Sequence, residues 1–250
     1  MKAAQGAFAR LVPLFILAAM WELVSRSGLV STSSLPPLTD VLAIFAGEHA
    51  RDLVWNTWLS LVRGTIALAF AIPFGIAAGI LIAWYLPVRV ILNPLLQSLY
   101  PMPKVALIPL TIIWLGIGNL SKVSLIFVGA LVPIVMSAYQ GARSVETTLL
   151  WTARSLGARE SQVLREVVLP AALPEILNGV RTAIALSFIL IVAGEFVIAN
   201  NGVGNLINLW GQAGEYPSMF AGVLTISAAG FVADRAFVAF SNWLLAGRQS

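Results

Sequence analysis

The stretch Gly64-Thr-Ile-Ala-Leu-Ala-Phe-Ala-Ile-Pro-Phe-Gly-Ile-Ala-Ala-Gly-Ile-Leu-Ile-Ala-Trp-Tyr-Leu-Pro-Val88 contains no charged side chain. A helix of about 20 such residues crosses the hydrocarbon of a bilayer. The run therefore predicts a membrane-spanning helix, placed at 54–85. The whole chain has the same character: of 250 residues, 59% are hydrophobic and 10% charged, where a soluble domain carries about 25% charged residues. Within the run, Ala67, Ala71, Gly75, Gly79 and Ala83 recur every four residues and form one ridge of small side chains. Such a ridge lets helix backbones approach closely in lipid. It serves either packing within one subunit or an interface with a second copy; the residues leave both open. Thr225, Ala229 and Ala233 repeat the pattern over a shorter stretch.

Outward from this helix, five further apolar segments are predicted at 11–27, 90–115, 122–140, 176–199 and 218–245. The first carries Pro13 and Glu22, and the third is broken near Pro101-Met102-Pro103. The run 11–27 follows Lys2 and Arg10 and reads as a membrane helix rather than a cleaved leader, since no cleavage site follows. The fold class is an all-α integral membrane protein of about six spans, one transmembrane domain over 1–250. Positive residues collect on the cytoplasmic side of membrane proteins. With both termini inside, Lys2, Arg10, Arg89, Arg143, Arg154, Arg159, Arg165 and Arg248 share that side. Arg51 lies outside, with Arg26 and Lys122 at boundaries, and 200–217 has no Lys or Arg. The segment 29–53 is outside; Thr39 or Asp40 caps a short interfacial helix there with Val41, Leu42, Ile44 and Phe45 on its apolar face.

The sequence lacks the anchors of several function classes. It has no cysteine and one histidine, His49, so neither thiolate metal sites nor a His-rich one is available, and no cofactor is predicted. No phosphate-cradling G-x-x-x-x-G-K-[ST] is present, nor a zinc-protease or serine-hydrolase motif; no catalytic residue is assigned and no nucleic-acid partner is implied. Gly202-Val203-Gly204 reads as an outer turn. Asn119-Leu120-Ser121 matches a glycosylation sequon by chance, in a short turn at the membrane surface.

The polar interruption 144–174 is the longest in the chain. Leu149, Leu150, Ala153 and Leu156 have helical spacing, and Gly157 suits the end of that helix. A second helix begins at Glu160 or Ser161 with Val163, Leu164, Val167 and Val168 on one side, and Pro170 and Pro174 stop it. Two short helices joined at a glycine make a knob at 151–170 that fills a groove on a partner or packs on the chain's own spans. This loop resembles the EAA motif of ABC importer permeases: Glu-Ala-Ala, three residues, Gly, nine residues, Ile-x-Leu-Pro. Here Ala153 is followed by three residues, Gly157, nine residues, and Val167-Val168-Leu169-Pro170. Trp151 stands where the motif has glutamate, and Thr152 where it has alanine.

The resemblance covers about 11–245 and is closest to the branch importing nitrate, sulfonates and taurine. Ser60-Leu-Val-Arg63, Pro101-Met-Pro-Lys-Val-Ala-Leu-Ile-Pro109, Trp114-Leu-Gly-Ile-Gly118, Leu169-Pro-Ala-Ala-Leu-Pro174 and Gly194-Glu195 carry it. It implies the transmembrane fold of type I ABC importers in the bacterial inner membrane, a homodimeric pore surrounded by membrane lipid, two ATPase subunits and a periplasmic solute-binding protein. It makes Trp151, Ala153, Arg154, Leu156, Gly157, Ala158, Val167, Leu169 and Pro170 the ATPase-coupling residues. Hydrolysis would then reside in the ATPase rather than in this chain. The competing class is an ion-coupled secondary transporter, against which the chain shows no internal repeat and few intramembrane acids.

Charges inside a bilayer cost about 2.5–3.5 kcal/mol each and face a partner or a cavity. Arg63 and Glu195 fall at similar depth and form a structural ion pair. Arg181, near the cytoplasmic end, snorkels or bonds loop carbonyls. Lys104 follows the Pro-Met-Pro break, where irregular backbone lines a cavity or is buried. Lys104, with Met102 and Glu195, marks the translocation path for an anion; alternatively Lys104 pairs with Glu195 or Glu22.

Overall fold

The computed structural model describes residues 2–197 and 200–246, with side chains from residue 12 onward. Arg248 and the end of the predicted fifth span, 198–199, lie outside the described residues, as do the side chains of Lys2 and Arg10. The described chain is helical throughout: α1 (Lys2–Arg26), α2 (Leu38–Ala43), α3 (Ala50–Trp84), α4 (Leu86–Leu99), α5 (Ile108–Leu115), α6 (Asn119–Arg143), α7 (Thr147–Ser155), α8 (Glu160–Gln162), α9 (Leu169–Val197), α10 (Val203–Ala213) and α11 (Tyr216–Ala246). Among the described residues, four helices are long and apolar enough to cross a membrane: α3, α6, α11 and the run 160–197. A fifth crossing is added if α4 and the segment Lys104–Leu115 count as one broken span. The predicted first span falls on α1, which is not among these.

Helices α3, α6 and α9 form the centre. Ala71, Ala130, Ile134, Ala138, Ala172, Ile176, Val180 and Ala183 are buried together, joined by Ala67, Ile126, Leu190 and Ile191. The ridge on α3 is buried over its whole length and packs against α6. A methyl group on Gly79 would stand 2.5 Å from the Val135 carbonyl oxygen and 2.6 Å from Ala138 Cβ. One on Gly75 would stand 2.7 Å from Ile134. The ridge therefore serves packing within one subunit, the first of its two readings. Gly179 repeats the device on the other flank, where a methyl would strike Ser137 of α6.

The third predicted span is bent by 99° between α4 and the Lys104–Leu115 segment. Pro101 and Pro103 supply no N–H and hold the chain extended, so the helix stops at Leu99 and restarts as a 3₁₀ turn at Lys104–Leu107. In the segment 29–53, α2 starts after Pro37, and no side chain of Thr39 or Asp40 caps it. Val41 is fully buried and Ile44 packs behind it, while Leu42 and Phe45 stay exposed. Positions 41 and 44 are three apart on a helix and share a face, and 42 and 45 form the adjacent one. The predicted apolar face thus splits in two.

The segment after α9 is a helix rather than a turn. Val203, Ile207 and Trp210 of α10 pack with Val41, Leu53, Ala221 and Ile226. Its N-terminus sits on a buried carboxylate. Arg63 donates to Glu195 Oε1 and to the side chain of Asn201, and its Nε donates to Asn119 Oδ1 at 2.8 Å. Ser60 Oγ donates to Glu195 Oε2 at 2.7 Å, and Gly204 N donates to the same oxygen at 3.1 Å. Helix N-termini carry partial positive charge and free N–H donors, so a carboxylate there is favoured. Gly202 has φ 112°, and a Cβ there would overlie the Glu195 carboxylate. A Cβ on Gly204 would stand 2.6 Å from the Val192 carbonyl oxygen and 2.8 Å from Glu195 Cβ. Gly202-Val-Gly204 is the pair of gaps that admits the carboxylate. Arg63 and Glu195 are 4% and 1% exposed, so neither has surface left to face a solute.

Two outcomes follow for stability in detergent. Gly79→Ala lowers it by about 1–3 kcal/mol through overpacking, while Gly118→Ala, with nothing within 4 Å of the added methyl, leaves it unchanged. Arg63→Met and Glu195→Gln each lower it by about 3–5 kcal/mol by leaving a buried charge unpaired. The double variant loses far less than the sum, as a double-mutant cycle read by chemical unfolding measures; additive losses would contradict the pairing.

Candidate coupling surface and translocation elements

Helix α7 ends by a specific backbone geometry. Gly157 has φ 85°; its N–H donates to the Arg154 carbonyl at 3.0 Å, and the Ala158 N–H donates to the Ala153 carbonyl at 3.1 Å. These two bonds make a Schellman cap, with glycine at the left-handed position. Ala153 and Ala158 also pack in one apolar cluster, the hydrophobic contact that accompanies such a cap. The Ala-x3-Gly spacing is thus the spacing of the cap itself.

Across the bend, Arg154 holds Glu160 in a two-point pair, Nε to Oε1 at 2.8 Å and Nη2 to Oε2 at 3.1 Å. The guanidinium holds the Glu160 carboxyl below its usual range and is itself raised by that hydrogen bond. The carboxylate is therefore charged at neutral pH, and the pairing weakens only as pH falls through the depressed value. Arg154 also lies 5.8 Å over the Trp84 ring at the end of α3, so one side chain touches both halves of the knob and a spanning helix. Gln162 Oε1 accepts from Arg159 N at 2.8 Å and satisfies the first turn of α8.

The second half of the knob departs from expectation. Pro170 and Pro174 do not stop it: α8 passes through a π-helical turn, Val163–Val168, directly into α9. Leu169 N donates to the Leu164 carbonyl, five residues back. The wide turn moves aside the carbonyl that the Pro170 ring would strike in a regular helix. The knob is therefore continuous with a central spanning helix.

The apolar face of the knob also divides. Val163 and Val168 are fully buried with Val145, and Leu150, Ala153, Ala158, Leu164 and Val167 pack around them against Trp84. Leu149, Trp151 and Leu156 are not enclosed; Trp151 is 69% exposed and Leu156 84%. Leu169 is exposed at its margin and Pro170 half-buried. The chain's own packing thus takes up part of the knob and leaves these three large apolar side chains bare.

Inside the spans, Lys104 and Met102 are half-buried at the 99° bend. Lys104 Nζ donates to the Tyr100 carbonyl at 2.5 Å and the Leu99 carbonyl at 3.1 Å. It pairs with neither alternative carboxylate: Glu195 is taken by Arg63, and Glu22 by Arg26 at 2.6 Å and Thr39. Arg181 neither snorkels nor bonds loop carbonyls; it makes a two-point pair with Asp234 of α11 at 2.6 and 3.1 Å. Lys122, placed by sequence at the outer boundary, is buried and lines a small cavity with Thr111, Ser121 and Gly194. Nothing in the residue pattern signalled that burial.

The comparisons with known proteins agree with this architecture. Residues 7–245 match the family described as binding-protein-dependent transport system inner membrane component. The taurine transport system permease protein TauC of Escherichia coli is 36% identical over 227 residues, 88% of this chain and 82% of that protein. A putative aliphatic sulfonates transport permease protein, SsuC of Bacillus subtilis, is 31% identical over 96% of this chain and 87% of its own length. Among solved structures, the inward-facing MetNI methionine ABC transporter aligns with TM-score 0.64 over 78% of this chain and 98% of that chain, at 23% identity. An amino acid ABC transporter aligns with TM-score 0.62 at 16% identity, over 79% and 94%. These two share the fold, the type I ABC transporter membrane domain. The chain belongs to the binding-protein-dependent inner membrane component family: it is the multi-pass permease subunit of an ABC importer, a transport component that works with ATPase subunits and a solute-binding protein.

Proposed function

We propose that two copies of this chain form the pore of an importer for a small anion of the sulfonate, taurine or nitrate type, and that the knob at 151–170 carries the motion of two ATPase subunits into the spans. The observation that carries the coupling role is the pair of exposed apolar side chains, Trp151 and Leu156, on a knob continuous with α9. Apolar residues left bare on a rigid knob are anchors for a partner. Ala153, Arg154, Gly157, Ala158, Val167, Leu169 and Pro170 hold its shape, and the apolar contact replaces the charge that glutamate would offer at 151. The Lys and Arg bias of the connections supports cytoplasmic termini and a cytoplasmic knob.

A solute bearing a sulfonate or similar oxyanion group is supported by the taurine and aliphatic sulfonate permeases among the relatives and by Lys104, a cation in the spans whose polar contacts are neutral carbonyls. Lys104 and Met102 belong to the path; Glu195 serves the ion pair. The second copy is supported by α11. Its apolar stretch is almost wholly unburied within the single chain, and it presents exposed Arg235 and half-buried Asp234, the latter paired with exposed Arg181. Charges facing lipid cost about 2.5–3.5 kcal/mol each, so this surface suits a protein partner or the pore. Transport then proceeds by alternating access: the loaded binding protein docks outside, ATP closes the ATPases, and the knobs turn α9 and its neighbours.

Gly157 tests the coupling. A Cβ there meets nothing within 4 Å, so the first cost of a side chain is the positive φ. Leucine costs about 1–2 kcal/mol in that conformation, whereas asparagine visits it readily. In proteoliposomes with the ATPase and binding protein, Gly157→Leu abolishes binding-protein-stimulated ATP hydrolysis and uptake at unchanged membrane level. Gly157→Asn keeps most of both. Full uptake by Gly157→Leu would contradict the role.

A further inference from the structure

A cavity of about 250 Å³ opens between the end of α4, α6 and α9, lined by Tyr100, Pro133, Met136, Ser137, Gln140 and Thr182. It lies on the coupling-loop side of the chain, since Gln140 is three residues from the end of α6. Its volume is several times the roughly 30 Å³ that a water occupies, enough for a small oxyanion. Gln140 and Thr182 are exposed and Ser137 half-buried, although both helices belong to the apolar centre. Polar side chains at such positions face a partner or a water-filled space rather than lipid. Met136 and Pro133 give the wall an apolar part, and no acidic side chain lines it.

Charge enters from one end. Lys104 reaches the carbonyl of Tyr100, a lining residue, and spends two of its donors on Tyr100 and Leu99. An ammonium has three, and the third has no partner among the described residues. Lys104 Nζ also lies 5.8 Å over the Tyr100 ring, so the aromatic face that would attract an amine already carries a cation. Lys104 is not itself a lining residue, so a solute here finds a cation bonded to the backbone of one lining residue, hydroxyl and amide groups along the wall, and no acidic side chain among the lining residues.

We infer that this cavity is an anion station on the inward side of Lys104, which holds a small sulfonate or comparable monoanion through Lys104 and the Ser137 and Gln140 side chains, the Thr182 hydroxyl being donated to the Asn178 carbonyl at 3.0 Å. The inference rests on the anion-importer reading and adds to it a site inside the permease that the binding protein does not supply. A cationic solute is rejected there, and a zwitterion is held by its anionic end alone.

The chain has no cysteine, so single thiols report on the cavity directly. Gln140→Cys and Thr182→Cys are made in the full chain with its ATPase, in membranes. Each is labelled with the 2-sulfonatoethyl and the 2-trimethylammonioethyl methanethiosulfonates, with rates normalised to a free thiol in solution. A focused positive field raises the local anion concentration by about tenfold or more, so the sulfonate reagent is favoured about tenfold at both positions. In the Lys104→Gln background that preference falls to near unity. Equal rates, a faster cationic reagent, or a preference untouched by Lys104→Gln overturns the site. Uptake by Lys104→Gln, measured separately, tests the path itself. Uptake lost without any labelling preference leaves the anion importer standing and removes this cavity from it. Normal anion uptake by Lys104→Gln, with the labelling preference present in the parent chain and lost in that variant, keeps the anion site and removes Lys104 from the path.

Discussion

The close approach of α3, α6 and α9 is the constraint on which the rest depends. In lipid, helices gain nothing from hiding apolar surface, so they associate through dispersion contacts that need backbones near one another. Gly75 and Gly79 admit α6 on one side of the bundle, and Gly179 admits it on the other. With these three helices locked, the loop between α6 and α9 has both ends fixed, and the bend after α4 is held over a gap between α6 and α9. At the end of the bundle remote from the knob, the Arg63–Glu195 pair fastens α3 to α9 and to the start of α10. A buried pair is weak support for stability as such; here it fixes which helices meet and in what register.

A rigid bundle matters to the knob because force needs a stiff lever. The π turn at Val163–Val168 makes α8 and α9 one body, and Arg154 ties α7 to both Glu160 and Trp84. In the proposed coupling role, motion applied to Trp151 or Leu156 would reach α3 and α9 together. The Schellman cap at Gly157 fixes the angle between the two halves, and the glycine is required by its φ rather than by crowding.

Much of this was legible in the chain itself because the relevant signals are local. A charge-free run declares a span, Pro-x-Pro declares a break, and Ala-x3-Gly declares a helix cap. The pairing of Arg63 with Glu195 was readable because two lone charges at one depth have few other partners. Non-local outcomes were not readable. The prolines at 170 and 174 signal a helix end, yet a π turn absorbs the first. Gly202-Val-Gly204 has the composition of a turn, and only the carboxylate nine residues before Gly204 gives it a purpose. The burial of Lys122 and the capture of Arg181 by Asp234 depend on helices far apart in sequence. The small-residue ridge on α3 fitted two interfaces, and the placement of α6 decides for packing within one subunit.

The central claim is that the outward side of the knob touches the ATPase. Leu156 and Leu29 are nearly equally exposed, at 84% and 82%, but lie in the knob and in the outer segment. Each is replaced singly by cysteine in the cysteine-free chain, and the assembled importer is treated in membranes with a short maleimide–succinimide cross-linker. The account predicts a covalent adduct with the ATPase subunit from Leu156→Cys and none from Leu29→Cys. No adduct at 156, or equal adducts at both positions, would contradict it.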